Sequence, residues 1–144
     1  GALTRILCGG GAGCIGNNFL AGNGPASVTV DPSSKFAYVA NQTTNDVSAY
    51  TIIANGVLTQ IPCGGGAGCN TNNNFLAGNG PASVTVDPSG KFVYVANQST
   101  NDVSAYTINA ATGALTRILC GGGAGCIGNN FLAGNGPRSV TTTH

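Results

Sequence analysis

Pro25, Pro81 and Pro137 stand 56 residues apart, and Asp31/Asp87, Tyr38/Tyr94 and Tyr50/Tyr106 keep the same offset. Residues 1–25 recur without change at 113–137, so the chain opens and closes on one segment. A tandem repeat constrains the fold more than any other feature, because each unit must bury its apolar face against its neighbours. The boundaries that follow are a partial unit over 1–24, repeats over 25–80 and 81–136, and over 137–144 the start of a further repeat or a terminus.

Within a period the pattern alternates every second residue and is rich in Val, Tyr, Thr and Ile, which predicts short half-buried strands. Ser83–Val86 reads as a first strand, ended by Asp87-Pro88-Ser89-Gly90, where Pro presets φ and Gly admits positive φ. Lys91–Ala96 reads as a second strand, Asn97–Asn101 as a hairpin loop, Asp102–Ile108 as a third strand and Ala114–Ile118 as a fourth. No segment supports a helix of ordinary length.

Four consecutive antiparallel strands per repeat predict an all-β, propeller-type blade. The string YVAN at 38–41 and 94–97, with VDPSGKF before it (86–92) and NDVSAYTINAATGALT after it (101–116), resembles the YVTN or lactonase-type propeller repeat. Propeller repeats usually run to about 40–50 residues; the surplus here lies in residues 63–80 and their copies. The strands amount to about two and a half blades, whereas a closed ring takes about 4–8, so one chain does not close. The expected terminal strands, Leu3–Leu7 and Ser139–Thr142, belong to opposite edges of a blade and cannot complete one another. The chain is then a window of a longer propeller, a protomer pairing through its edges, or the unit of an open polymer.

Cys8/Cys14, Cys63/Cys69 and Cys120/Cys126 each enclose Gly-Gly-Gly-Ala-Gly. An interior of small residues lets the backbone turn back, so each pair reads as a local disulfide, with bridges between blades or chains as the alternative. Zinc sites use C-x2-4-C pairs with four ligands, and haem attachment needs C-x-x-C-H; neither pattern is present, so no metal or cofactor is expected. An even, repeated cysteine count points to an oxidising, extracellular setting.

Only 6% of residues are charged and the formal net charge is +1, which excludes electrostatic capture of nucleic acid or of an anionic membrane. No apolar run is long enough to insert into a bilayer as a helix. General acid–base chemistry would have to draw on Asp31, Asp46, Asp87, Asp102 and His144. The aspartates sit in equivalent turns or strand starts, and Arg5, Lys35, Lys91, Arg117 and Arg138 follow repeat positions instead of converging. Only the last stretch, Arg138–His144, departs from the repeat, Arg138 replacing an expected Ala. No catalytic residue is therefore assigned. Asn41-Gln42-Thr43 and Asn97-Gln98-Ser99 are acceptor patterns for N-glycosylation in equivalent loops, or hairpin residues with no such role. GNGP at 22–25, 78–81 and 134–137 lacks the context of a phosphate cradle and reads as a turn before the innermost strand.

The expectation that follows is a secreted, non-catalytic structural protein whose partners are other copies of itself, assembled through strand edges into a filament, sheath or surface layer. The resemblance also implies a sugar-lactone hydrolase, which makes a fragment of a lactonase-like or ligand-binding propeller the alternative. A glycan-binding adhesin is a third reading.

Overall fold

The computed structural model describes residues 1–143. The single histidine, His144, lies outside the described residues. Strands follow in the order β1 (Cys14–Ile15), β2 (Asn18–Phe19), β3 (Pro25–Val30), β4 (Phe36–Asn41), β5 (Asp46–Ile52), β6 (Leu58–Ile61) and β7 (Phe75–Leu76). The second half continues with β8 (Pro81–Val86), β9 (Phe92–Asn97), β10 (Asp102–Ile108), β11 (Leu115–Ile118), β12 (Cys126–Ile127) and β13 (Asn130–Leu132). One 3₁₀ turn, Ala54–Gly56, is the only helical element among the described residues.

β3 to β6 form one four-stranded antiparallel blade and β8 to β11 a second, in matching register. The sheets do not close. Alternation of β-branched and aromatic residues with small polar ones makes these strands, and the Asp-Pro turns and N-x-S/T loops end them at the expected places.

The surplus of the long repeat is not an extruded loop. The third strand of each blade outruns the fourth: β6 pairs with Ala49–Ile52 only, leaving Asp46 and Val47 free for β7. Asp102 and Val103 take β13 in the same way. The disulfide loop thus folds back as a hairpin, β12–β13 in the last copy, which extends the second blade through β13, while β1–β2 in the first copy is a two-stranded sheet of its own.

The core lies between the blades. Phe36, Tyr38 and Ala40 on β4 meet Val93 and Val95 on β9, with Val47, Ile61, Val84, Val86, Tyr106 and Leu115 around them. Side chains on a strand alternate faces, so β4 presents one face to the seam and β9 the opposite face of its own sheet. Four hydrogen bonds join the blades across it. Tyr38 donates to the Gly113 carbonyl (2.9 Å) and Tyr106 to that of Leu76 (2.6 Å). The Val84 N–H donates to Ser27 Oγ (3.2 Å) and the Gly80 N–H to Asn45 Oδ1 (2.9 Å). Burial raises the Tyr38 and Tyr106 hydroxyls above their ordinary 10.0, so both stay protonated donors.

Away from the seam the same positions are open. Val28 and Val30 on β3 are 66% and 49% exposed, whereas their counterparts Val84 and Val86 are 5% and 8% exposed. A blade face of this repeat is buried only where a neighbouring blade covers it. Residues 137–143 already lie along β8 as a third inner strand would: the Val140 N–H donates to Ser83 Oγ (3.2 Å), and Thr142 Oγ1 donates to the Val86 carbonyl (3.1 Å). Neither Ser139–Thr142 nor Leu3–Leu7 forms the strand expected of it. The described residues supply neither stretch with a ladder partner.

Gly113 sets the closest approach at the seam. A Cβ there would meet Phe36 Cε1 at 2.7 Å and Ile61 Cδ1 at 2.8 Å, and its φ is +73°. Gly122, at φ +85°, faces open space. Gly113→Ala is therefore expected to cost about 2–4 kcal/mol of unfolding free energy and Gly122→Ala only about 1 kcal/mol, the difference being packing alone. Urea denaturation of the two variants measures it, and equal costs would contradict this packing.

Candidate functional site

Each blade has two ends. At one, the turn after the inner strand carries Asp31 or Asp87. Asp31 Oδ1 accepts the N–H groups of Lys35 (2.8 Å) and Phe36 (2.7 Å), while Oδ2 accepts the Ser33 N–H (3.0 Å) and hydroxyl. Asp87 is held in the same way by Lys91, Phe92 and Ser89. Burial works against the charge, yet the serine hydroxyl and three backbone N–H groups outweigh it and hold both carboxyls below the ordinary 3.8. A cleft of about 450 Å³ opens here between the Asp31 turn and Ser89-Gly90. Its carboxylate is fully engaged by its own turn and is no free general base.

The other end gathers the N-x-S/T hairpin, the GNGP segment and the hairpin of the disulfide loop. Asn41 and Asn97 are fully buried. Asn97 Nδ2 donates to Asp102 Oδ1 (2.6 Å) and Ser104 Oγ (2.9 Å), and Asn41 repeats this with Asp46 and Ser48 at the same distances. The nitrogen that would carry a glycan is thus inside the fold, and a sugar on it requires the hairpin to open. The first glycine of GNGP lies directly on this pair, and the second against Thr43 or Ser99 of the hairpin. A Cβ at Gly78 would stand 2.6 Å from both Asn97 Nδ2 and Asp102 Oδ1, and the Gly78 N–H donates to Ser104 Oγ (3.0 Å). The motif is a close backbone approach to a polar knot.

Asp46 and Asp102 are buried carboxylates, and the two blades satisfy them differently. In the second blade Arg117 donates to Asn130 Oδ1 (2.5 Å), which also accepts from Ser104 (3.0 Å), bringing a guanidinium into the network. In the first blade that position is Gln60, which reaches Asn74 Oδ1 (3.1 Å). There Asp46 takes two further amides, from Asn70 (2.5 Å) and Asn74 (3.1 Å). Asn70 stands where the other copies have Ile15 and Ile127. Its own Oδ1 accepts the Asn72 and Asn74 N–H groups, which fixes the orientation of the amide. Arg5 in the first copy donates to Asn18 Oδ1 (2.8 Å), the counterpart of the Arg117 contact.

The three cysteine pairs are disulfides within their own loops, Cys8–Cys14, Cys63–Cys69 and Cys120–Cys126, and there are no free cysteines. Among the described residues no group of three or more His, Cys, Asp and Glu could hold a metal ion. Lys35 and Lys91 are exposed on equivalent turns.

Arg138 is different. It occupies the position of Ala26 and Ala82, the residue that each inner strand bulges out of its ladder between Pro and Ser. A bulge re-aims the side chain it carries. With its amide oriented to suit both partners, Gln98 accepts Arg138 Nε (3.1 Å) and Nη2 (3.2 Å). An exposed residue carrying a guanidinium thus follows the GNGP turn at 134–137, where the repeat otherwise places a methyl group. Its departure from the repeat was visible in the sequence; its placement beside Gln98 was not.

The family described as lactonase, 7-bladed beta-propeller, matches residues 10–120. A protein named 6-phosphogluconolactonase from Bacillus subtilis is 27% identical over 71% of the chain and 28% of its own length. A second of that name, from Formosa agariphila, is 29% identical over 65% of the chain and 24% of its own length. The chain therefore spans about a quarter of the length of these curated relatives. The solved structure of a Pseudomonas aeruginosa periplasmic gluconolactonase superposes with a TM-score of 0.57 at 18% identity, over 72% of this chain and 27% of that one, a likeness of fold. The expectation of a non-catalytic filament or surface-layer element is corrected by these likenesses, since the relatives are named as lactonases.

Two outcomes are expected. Because Asp31 and Asp87 have lowered folded values, their stabilisation is present above 3.8 and is lost as pH falls through those values. Unfolding midpoints measured from pH 6 to pH 2 should decline below about 4, and less steeply in the Asp31→Asn/Asp87→Asn double variant. Asn70→Ala should cost about 1–3 kcal/mol by stripping a partner from buried Asp46, and Gln60→Arg should recover part of it in a double-mutant cycle.

Proposed function

The chain belongs to the lactonase family of seven-bladed β-propellers, and on that ground we propose that it supplies two blades and the start of a third to a ring that hydrolyses a phosphorylated sugar lactone. The open blade faces support this, since Val28 and Val30 expose what a neighbouring blade covers at the seam. The three disulfides are compatible with a secreted or periplasmic protein, and we place it outside the cytoplasm. No helix among the described residues is long and apolar enough to cross a membrane.

The observation that carries the reading is Arg138. Lactone hydrolysis adds water to the carbonyl carbon, breaks the ring C–O bond and releases a carboxylate and a proton. A protein accelerates this by binding the substrate's anionic group and stabilising the developing oxyanion. Of the charged side chains described, the aspartates are committed to turns or buried amide networks, so this segment contributes a cation. The Arg138 guanidinium matches a phosphate geometrically, and Gln98 holds it just after the GNGP turn.

The test is hydrolysis of 6-phosphogluconolactone by the complete gene product, measured against the spontaneous rate. Arg138→Ala is expected to lower kcat/KM by about 10²–10³-fold, with a smaller loss on the unphosphorylated lactone. A wild-type rate equal to the spontaneous one would sink the lactonase reading, and an equal loss on both lactones would move Arg138 from the phosphate to the reacting carbonyl.

A further inference from the structure

Where the connection leaving the first blade crosses the second, a pocket of about 190 Å³ lies between the Cys63–Cys69 loop and the strands β10 and β11. Both walls come from within residues 63–117, and neither end of the chain lines it. Arg117 stands directly opposite Tyr106 in the β10–β11 ladder, so the two side chains share one face of the sheet. That face turns toward the first blade, because Tyr106 donates to the Leu76 carbonyl. Gly65 and Gly68 in the opposite wall leave open the space that larger side chains would fill.

The guanidinium in this pocket is under-used. Nη2 donates to Asn130 Oδ1 (2.5 Å), while Nε is buried with no hydrogen-bond partner. A buried donor without an acceptor is destabilising, more so on a charged group, and none of the residues lining the pocket is acidic. The loop offers a second donor. In the first and last copies the Gly10 and Gly122 N–H groups are taken by the carbonyls of Cys8 (2.8 Å) and Cys120 (2.7 Å). Gly65, the same position of the middle loop, makes no such bond among the described residues. Its neighbour Gly64 has φ +84°, a left-handed value that neither Gly9 nor Gly121 adopts. The matching pocket of the first blade, about 210 Å³, has Gln60 in place of Arg117 and the engaged Gly10 in place of Gly65.

We propose that the pocket between Gly65 and Arg117 binds a small oxyanion of phosphate or sulfate size, at a site separate from Arg138. The Arg117 guanidinium and the Gly65 N–H are its donors. Two N–H groups of a planar guanidinium match two oxygens of such an ion, and binding gives the buried Nε the acceptor it lacks. The volume admits one tetrahedral ion with little water besides. An ion seated here bridges the connection of the first blade to the fourth strand of the second and ties the outer edge of the seam.

The experiment is thermal unfolding of the full chain over a rising series of inorganic phosphate, against chloride at equal ionic strength, in an Arg138→Ala background that removes the other guanidinium proposed to meet phosphate. Ligand that binds only the folded chain raises the midpoint by mass action. Arg117→Gln gives the second blade the residue that the first blade carries at this place, so the fold accommodates it. It is expected to weaken the phosphate dependence about ten- to a hundredfold, with Arg117→Lys between the two. Phosphate also stabilises folded proteins by exclusion from their surface, which acts alike on parent and variant, so equal dependence in both would overturn the proposal. Crystals of the unsubstituted chain soaked in selenate give a second reading that no variant enters, with anomalous density expected between Arg117 and Gly65. Density elsewhere alone, or density here without the difference in solution, which would mark an adventitious ion only, overturns it as well.

Discussion

Asp46 and Asp102 are ionisable groups placed where water does not reach, and the rest of each blade is organised around making that tolerable. A buried carboxylate without donors costs several kcal/mol, so its hydrogen bonds have to be complete. The first donor is the asparagine directly opposite on the neighbouring strand, which fixes the register of the second and third strands: Asn41 against Asp46, Asn97 against Asp102. Ser48 and Ser104 take the second amide hydrogen of that asparagine and accept the Gly22 or Gly78 N–H. One polar knot therefore sets a hairpin, a glycine turn and the entry of the next inner strand together.

The glycine turn joins that knot to the ring. Gly22 and Gly78 leave room for the buried asparagine beneath them, and the N–H groups of Gly80 and Gly136 reach the loop of the preceding blade. The same connection is anchored lower down by Tyr106, whose hydroxyl binds the Leu76 carbonyl. Apolar packing of β4 with residues of β8 and β9 forms the seam, and these directional contacts fix how the blades sit on it. A fold built this way needs few charges, which accounts for a 6% charged composition without invoking polymerisation.

Most of the blade was legible in the sequence because strand pattern and turn chemistry are local. Asp102–Ile108 is a strand over the range its alternation predicts, and the Asp87-Pro88-Ser89-Gly90 turn closes on its own aspartate. The misreadings have a common cause, contacts between residues far apart in the chain. N-x-S/T reads as an exposed loop, yet Asn41 and Asn97 are buried because GNG closes over them. The stretch from Cys63 to Gly80 reads as loop because Phe75–Leu76 acquires a strand partner only when it folds back on Val47 and Asp46. The inference of a filament came from unpaired edges and repeats, features that a segment of a closed ring shares.

By itself the sequence determined the repeat, the four strands of each blade, the pairing distance of the cysteines and the failure of one chain to close. These follow from periodicity, turn residues and spacing, which act within a few residues of one another. Tertiary structure alone decided which polar residues are inside, which blade face is covered, how Asn70 and Arg117 serve unlike blades, and that Arg138 stands beside Gln98. Those outcomes depend on where two distant segments meet, and a chain encodes such a meeting in the summed packing of a whole seam, with no local signature at either residue.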